Sequence, residues 1–220
     1  MRSPLLKMFP QEEQEKIASA VRQAEKITSG EIVPYVVPQS DHYESAEWRA
    51  GVLGGLAAFV AMTFLRSSPG DWAGFDPLGI GAVTLLGGLA AMLAVRFIPA
   101  LKRLCAGSHL MTRRVEQRAA EAFVSEEVFA THNRTGILIF LSIMERRVLV
   151  VGDSGIHARV RQDDWQEIIG FMVGAIRAGK PADGLVEAIG RCGALLAAHG
   201  VGRGASDTDE LSDNLRIGKE

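Results

Sequence analysis

The sequence predicts an α/β fold interrupted by an inserted two-helix transmembrane hairpin. Three observations carry this. Two long uncharged apolar runs, residues 50–65 and 78–95, are separated by a short polar loop. Segments with helical apolar spacing and short apolar runs of strand length lie on both sides of that pair. One strand-like segment, Glu31–Val37, stands alone before the apolar runs. A lone strand cannot satisfy its own N–H and C=O groups, so its partners must come from after residue 135 and the domain is expected to be discontinuous.

The apolar runs are 16 and 18 residues long. As helices they measure about 24 and 27 Å, a little under the ~30 Å of bilayer hydrocarbon. Trp48 and Trp72 suit the interface, and Arg49, Arg66 and Arg96 have stems long enough to snorkel. Both runs are apolar around the whole circumference, unlike a soluble core helix with one apolar stripe. Gly51-xxx-Gly55, Gly54-xxx-Ala58 and Gly87-xxx-Ala91 set small residues one turn apart, which lets two helices approach closely in lipid. Lys and Arg lie at the outer flanks, at Arg22, Lys26 and Arg49 and again at Arg96, Lys102, Arg103, Arg113 and Arg114, with only Arg66 between the runs. The positive-inside rule then predicts two spans in the cell (inner) membrane with both termini cytoplasmic. No apolar stretch before the first run is long enough for a cleaved signal peptide, so that run is expected to serve as the targeting segment.

The chain has 220 residues, 47% of them hydrophobic, and a net charge of −2. There is no basic footprint, and no nucleic-acid partner is expected. Cys105 and Cys192, the only cysteines, have neither metal spacing nor a disulfide framework.

In chain order, residues 10–29 read as an amphipathic helix. Pro10 suits its first turn, Ile17, Val21 and Ala24 form its stripe, and Gly30 stops it. Pro34 within Glu31–Val37 cannot donate to a ladder, which predicts an edge strand or a bulge. Residues 40–48 begin a helix that runs into the first span, Asp41 and Glu44 having capping-box spacing. Beyond the second span, residues 112–131 form a helix with Val115, Ala119, Ala122, Phe123 and Phe129 on one face. Residues 136–143 read as a central strand buried on both sides. Glu145, Arg146 and Arg147 make a polar turn, and residues 148–151 return as a hairpin strand. Asp163 or Asp164 caps the next helix, striped by Trp165, Ile168, Ile169, Met172, Val173 and Ile176 and ended by Gly179. Pro181 opens another, with Leu185, Ile189, Cys192, Leu195 and Leu196 inward, ended by Gly200. This gives residues 1–48 and 102–200 as two parts of one domain, 49–101 as the hairpin, and 201–220 as a disordered acidic tail.

Several segments together resemble the TPM-domain family, named for a thylakoid-lumen phosphatase, a photosystem-repair protein and a modulator of a neuronal receptor. The segments are AEKITSGEIVPYVV (residues 24–37), SDHYESAEWRA (40–50), RTGILIFLSIMERRVLVVGDSGI (134–156), DDWQEII (163–169) and IRAGKPADGLVEAI (176–189). The resemblance implies a bacterial-type member with the hairpin inserted in a compact α/β sandwich, a small mixed sheet with helices on both faces. Some members are associated with acid phosphatase activity or calcium binding, and others are accessory factors of membrane complexes. Many carry an Asp-Asn pair just before the Gly of the central strand. Here those positions are Arg134 and Thr135, a departure that weakens the transfer of a metal site or catalytic role to this chain.

The residues themselves offer few chemical constellations. Asp153, Asp163, Asp164 and Asp183, at strand ends and helix starts, are the candidates for a calcium or magnesium site or for phosphoryl chemistry, although capping explains each singly. Arg146 and Arg147 are the candidate phosphate forks, in what otherwise reads as a solvated turn. Asp41, His42, Glu44 and Glu47 cluster at a capped helix start. The Gly152-Asp153-Ser154-Gly155 segment reads as a turn, with glycine supplying positive φ, since a Ser protease needs a positioned His and Asp. His157 beside it is the only histidine near an acidic loop. There is no H-E-x-x-H, Walker A, G-x-G-x-x-G or C-x-x-C. No cofactor is assigned and the catalytic residues stay unknown. The expected role is that of a non-enzymatic accessory or modulatory factor at the membrane surface, contacting the bilayer and a membrane-protein partner or a second copy. The alternative is a weak or metal-dependent phosphatase.

Overall fold

The computed structural model describes residues 4–67, 76–203 and 210–218. Its helices in chain order are α1 (Pro4–Met8), α2 (Gln11–Glu25), α3 (Glu44–Ser67), α4 (Pro77–Phe97), α5 (Pro99–Ala106), α6 (Ser108–Ser125), α7 (Ser154–His157), α8 (Gln166–Arg177) and α9 (Pro181–Ala198). The strands are β1 (Glu31–Val37), β2 (Gly136–Ser142), β3 (Arg147–Gly152) and β4 (Arg216–Ile217). Two units result. Met1–Asp41 joins Arg113–Glu220 in one, and His42–Thr112 forms the other.

In the first unit the described residues form a four-stranded sheet in the order β3-β2-β1-β4. β1 and β2 run parallel, from Glu31 opposite Gly136 to Val37 opposite Ser142, and β3 returns antiparallel on β2. A parallel pair needs a long crossover, and here the crossover contains the whole second unit. Every residue of β1 and β2 is buried, which is why residues 136–143 read as an unbroken apolar run. Alternate residues feed opposite layers. Ile32, Val36, Ile137, Ile139 and Leu141 pack with Ile17 and Val21 of α2, Met172 of α8 and Leu185 and Ile189 of α9. Val33, Tyr35, Leu138 and Phe140 pack with Val115, Ala119 and Ala122 of α6. Each such aliphatic side chain contributes about 1.5–3 kcal/mol on burial. Across the central pair, Tyr35 and Phe140 stack at 5.8 Å between ring centroids.

The residues expected to be a disordered tail behave otherwise where they are described. Arg216 and Ile217 pair parallel with Tyr35 and Val36, Leu215 is buried in the core, and Arg216 pairs with Glu126 at 2.9 Å. The physical reason is the far edge of β1, whose backbone groups need a partner. Residues 204–209 lie outside the described part. Pro34 is likewise not on an edge strand. The Val36 carbonyl accepts from Gly218 N at 2.9 Å, so Ile32, Pro34 and Val36 all aim their amides toward β4. Ile32 N donates to Glu25 Oε1 at 2.9 Å and β4 reaches only Tyr35 and Val36. Proline therefore sits where no ladder donor is required.

Three smaller expectations are also revised. α6 ends at Ser125 rather than 131. Glu127 takes a left-handed φ of 52°, and Val128, not Phe129, enters the core. Before α8, residues Gln162–Trp165 form a 3-10 turn. Gly155 has no positive φ. A Cβ there would lie 2.5 Å from the Asn133 carbonyl oxygen, so the glycine is required for close backbone approach.

The second unit is the hairpin. A Cβ on Gly54 would stand 2.4 Å from Ala91 Cβ, and one on Gly87 would stand 2.7 Å from Ala58 Cβ. The small-residue pairs named from the sequence thus face one another across α3 and α4. Large side chains point outward, among them Leu53, Phe59, Phe64, Leu85 and Leu86. Among the described residues these two helices are long and apolar enough to cross a membrane. Trp72 of the connecting loop lies outside the described residues. At the open end, the Lys102 ammonium of α5 sits 3.1 Å from the Glu47 carboxylate and donates to the His42 carbonyl at 3.2 Å. Both charged side chains are nearly buried.

Candidate functional site

β1 and β2 begin, and β3 finishes, at one end of the sheet. The T-S-G-E-I and T-G-I-L pieces meet there. Thr28 Oγ1 donates to the Val201 carbonyl at 2.5 Å and accepts from Gly30 N at 3.1 Å. Thr135 Oγ1 donates to the Ser29 carbonyl at 2.8 Å, and Thr135 N donates to Thr131 Oγ1 at 2.9 Å. A Cβ on Gly136 would fall 1.9 Å from the Val128 carbonyl oxygen. These side chains satisfy buried backbone groups at strand entrances.

Beside them lies a group of carboxylates that the sequence reading passed over. Glu25 ends the buried stripe of α2, after Ile17, Val21 and Ala24, and that ionisable residue in an apolar pattern was the available signal. Its Oε1 accepts from Ile32 N. Glu31 Oε2 accepts from Leu211 N at 3.1 Å, and the Asp213 carboxylate, which Arg22 reaches at Oδ2 at 3.3 Å, interacts electrostatically with Glu25. Burial pushes the Glu25 carboxyl up to about 8 against the lowering effect of the Ile32 N–H, and the negative charges of Glu31 and Asp213 add to the rise.

The predicted aspartates are distributed as follows. Asp153 is buried, caps Ser154 N at 2.6 Å and holds Arg134 Nε at 2.9 Å. Arg134 thus neutralises the Asp153 carboxylate. Asp164 accepts from Arg161 N at 2.9 Å and faces His199 at 3.7 Å, with Asp163 exposed beside it. Asp183 opens α9, about 24 Å along that helix from His199 by helical rise. His157 Nδ1 lies 3.2 Å from the Asp153 carbonyl oxygen. Asp41 pairs with Arg114 at 2.7 Å, Glu47 pairs with Lys102, and Glu44 is exposed in the first turn of α3. Among the described residues no three His, Cys, Asp or Glu side chains gather to hold a metal ion.

Arg146 and Arg147 stand at the other end of the sheet, about 20 Å away by strand rise. Arg146 is exposed, with a left-handed φ of 53°. The turn is less polar than expected because Glu145 is buried. Its Oε1 accepts from Ser40 N at 2.8 Å and its Oε2 from Ser142 Oγ, while the two serine hydroxyls lie 2.9 Å apart. The knot ties the exits of β1 and β2 together. Glu145→Ala is expected to cost about 2–3 kcal/mol because it removes charge-assisted bonds and strands a buried N–H. Glu145→Gln should recover about half. Chemical denaturation midpoints check both, and an alanine variant as stable as the parent would show that the strand exits are held without the knot.

Residues 105–195 match the TPM domain, the contiguous stretch from α5 through most of α9. The NMR structure of the BA42 protein from the psychrophilic bacterium Bizionia argentinensis resembles this chain with a TM-score of 0.57 and 21% identity, over 94% of this chain and 93% of that one. That likeness concerns the fold. No curated protein matches the sequence.

Proposed function

The chain carries a TPM domain, matched over residues 105–195, and on that premise we propose that it is a membrane-anchored accessory or modulatory factor. Its α/β unit works at the cytoplasmic face of the cell (inner) membrane, both termini inside, held by a hairpin through its own middle and engaging a membrane-protein partner or a second copy. The single observation behind this reading is the insertion of an apolar hairpin unit, His42–Thr112, within one α/β unit. The polar residues at both sheet ends support it, being engaged with backbone and with one another. Crosslinking in cells followed by purification in mild detergent tests it, and recovery of the chain with no specific partner and no self-association would end the proposal. Hydrolysis of a chromogenic phosphate ester that is sensitive to Asp153→Asn would favour the phosphatase instead.

Sidedness is read with a membrane-impermeant thiol reagent on intact cells. A Gly70→Cys variant should label from outside and Cys105 should not. Cys192 is expected to stay silent from either side, since it is fully buried and burial pushes its thiol up to about 12. It should react only after unfolding. Labelling of Cys105 without Gly70→Cys would reverse the topology.

A further inference from the structure

We infer that the open end of the hairpin unit is a foot for anionic lipid head groups, with α5 lying in the membrane interface. This rests on the membrane reading above. α4 stops at Phe97, Ile98 is extended (φ −108°, ψ 101°), and Pro99 opens α5. Proline keeps the residue before it out of the helical region yet starts a helix well. The chain therefore leaves the axis of the second span where the apolar run ends.

α5 packs back on α3 and α4 and is pinned by Lys102 on Glu47 and by buried Ala106. Lys102 and Ala106 are four residues apart and share a face, so Leu104 between them is turned outward. It is 78% exposed, with Phe97 at 73% and Ile98 at 46%, and Trp48 on α3 is 65% exposed. An aromatic and aliphatic belt at a span's end is suited to the head-group boundary, where apolar faces insert and polar ends stay wet. The charge fits one class of lipid. Residues 42–50 and 95–107 carry Arg49, Arg96, Lys102 and Arg103 against Glu44 and Glu47. Lys102 pairs closely with Glu47, while Arg49 and Arg96 are exposed, Arg96 at 3.8 Å standing at the outer limit of a pair with the same carboxylate. Arg49 donates from Nε to the Ser45 carbonyl at 3.1 Å. A zwitterionic head group sets its own cation beside its phosphate and brings no net charge to the site, whereas an anionic one brings a net negative charge to the arginines.

The test uses the full chain reconstituted in equal mixtures of phosphatidylcholine and phosphatidylglycerol, with retained lipids counted by native mass spectrometry. Phosphatidylglycerol should be enriched about twenty-five-fold, about fivefold for each of the two arginines, the equivalent of about 1 kcal/mol per cation near the surface. Arg49→Gln should remove about fivefold of that enrichment, and Arg49→Gln with Arg96→Gln should abolish it, with helix content by circular dichroism unchanged. Equal retention of the two lipids, or wild-type enrichment in the double variant, overturns the foot. Resistance to an alkaline wash is read in parallel. A chain that washes off refutes the membrane reading itself, whereas a chain that stays but shows no lipid preference refutes only this inference.

Discussion

Glu47→Ala is expected to destabilise the hairpin unit by about 3–5 kcal/mol. The loss comes less from the bond removed than from the charge left behind. Lys102 is nearly buried, and without the carboxylate 3.1 Å away its ammonium keeps only the His42 carbonyl. Lys102→Ala should cost less, because Arg96 stands 3.8 Å from Glu47 and moves toward the orphaned carboxylate. Replacing both at once, Glu47→Leu with Lys102→Met, should return most of the stability, since a desolvated ion pair often does no better than apolar residues of similar volume. Unfolding in mild detergent, with protease cleavage at α5 as a local readout, measures all three. If Glu47→Ala lay within about 1 kcal/mol of the parent, the pair would be a bystander and α5 would be held by packing alone.

Glu25→Gln is expected to raise stability at alkaline pH by about 2–4 kcal/mol and to flatten its pH dependence. The native carboxyl titrates near 8, above its ordinary 4.5. Between those values the folded protein keeps a proton that the unfolded chain has released. Stability from this group is thus fully present below about pH 4.5, falls as pH rises by up to about 1.4 kcal/mol per unit, and is gone above pH 8. Glutamine is neutral throughout and accepts from Ile32 N as the carboxyl does. Melting curves of the two proteins should separate progressively as the pH is raised from 5 toward 8. Parallel curves would show that Glu25 is ionised in the native state across this range. The C-terminal segment, which neighbours Glu25 through Asp213 and donates from Leu211 N to Glu31, is expected to loosen first at alkaline pH.

How far these features were legible varies with the range of the interactions. The central strand announced itself because a strand buried on both faces must be apolar at every position. The glycine pairs of the hairpin were equally plain, since close helix contact requires small residues one turn apart. The T-S-G-E-I and T-G-I-L pieces were visible as motifs, but their work, joining Thr28 to Val201 and Thr135 to Ser29, spans separations that no local pattern encodes. Glu145 looked like a solvated turn residue because its hydrogen-bond partners include Ser40, far upstream. Residues 210–218 looked like a tail because two paired residues and one buried leucine leave almost no compositional trace.

The sequence by itself determined the fold class, the uninterrupted apolar helices and the need for β1 to find its partners beyond residue 135. These follow from local periodicity and from the rule that backbone polar groups must be paired. Only the tertiary structure decided which charges are buried. Whether Glu47, Glu145, Glu25 or Asp153 meets water or a partner depends on what the chain brings back from a distance, and desolvation rather than residue type sets the consequence. The same holds for the predicted aspartates and arginines. Their residue types allow metal or phosphate chemistry, but the fold sets Arg146 and Arg147 at one end of the sheet and Asp153 at the other, beside Arg134.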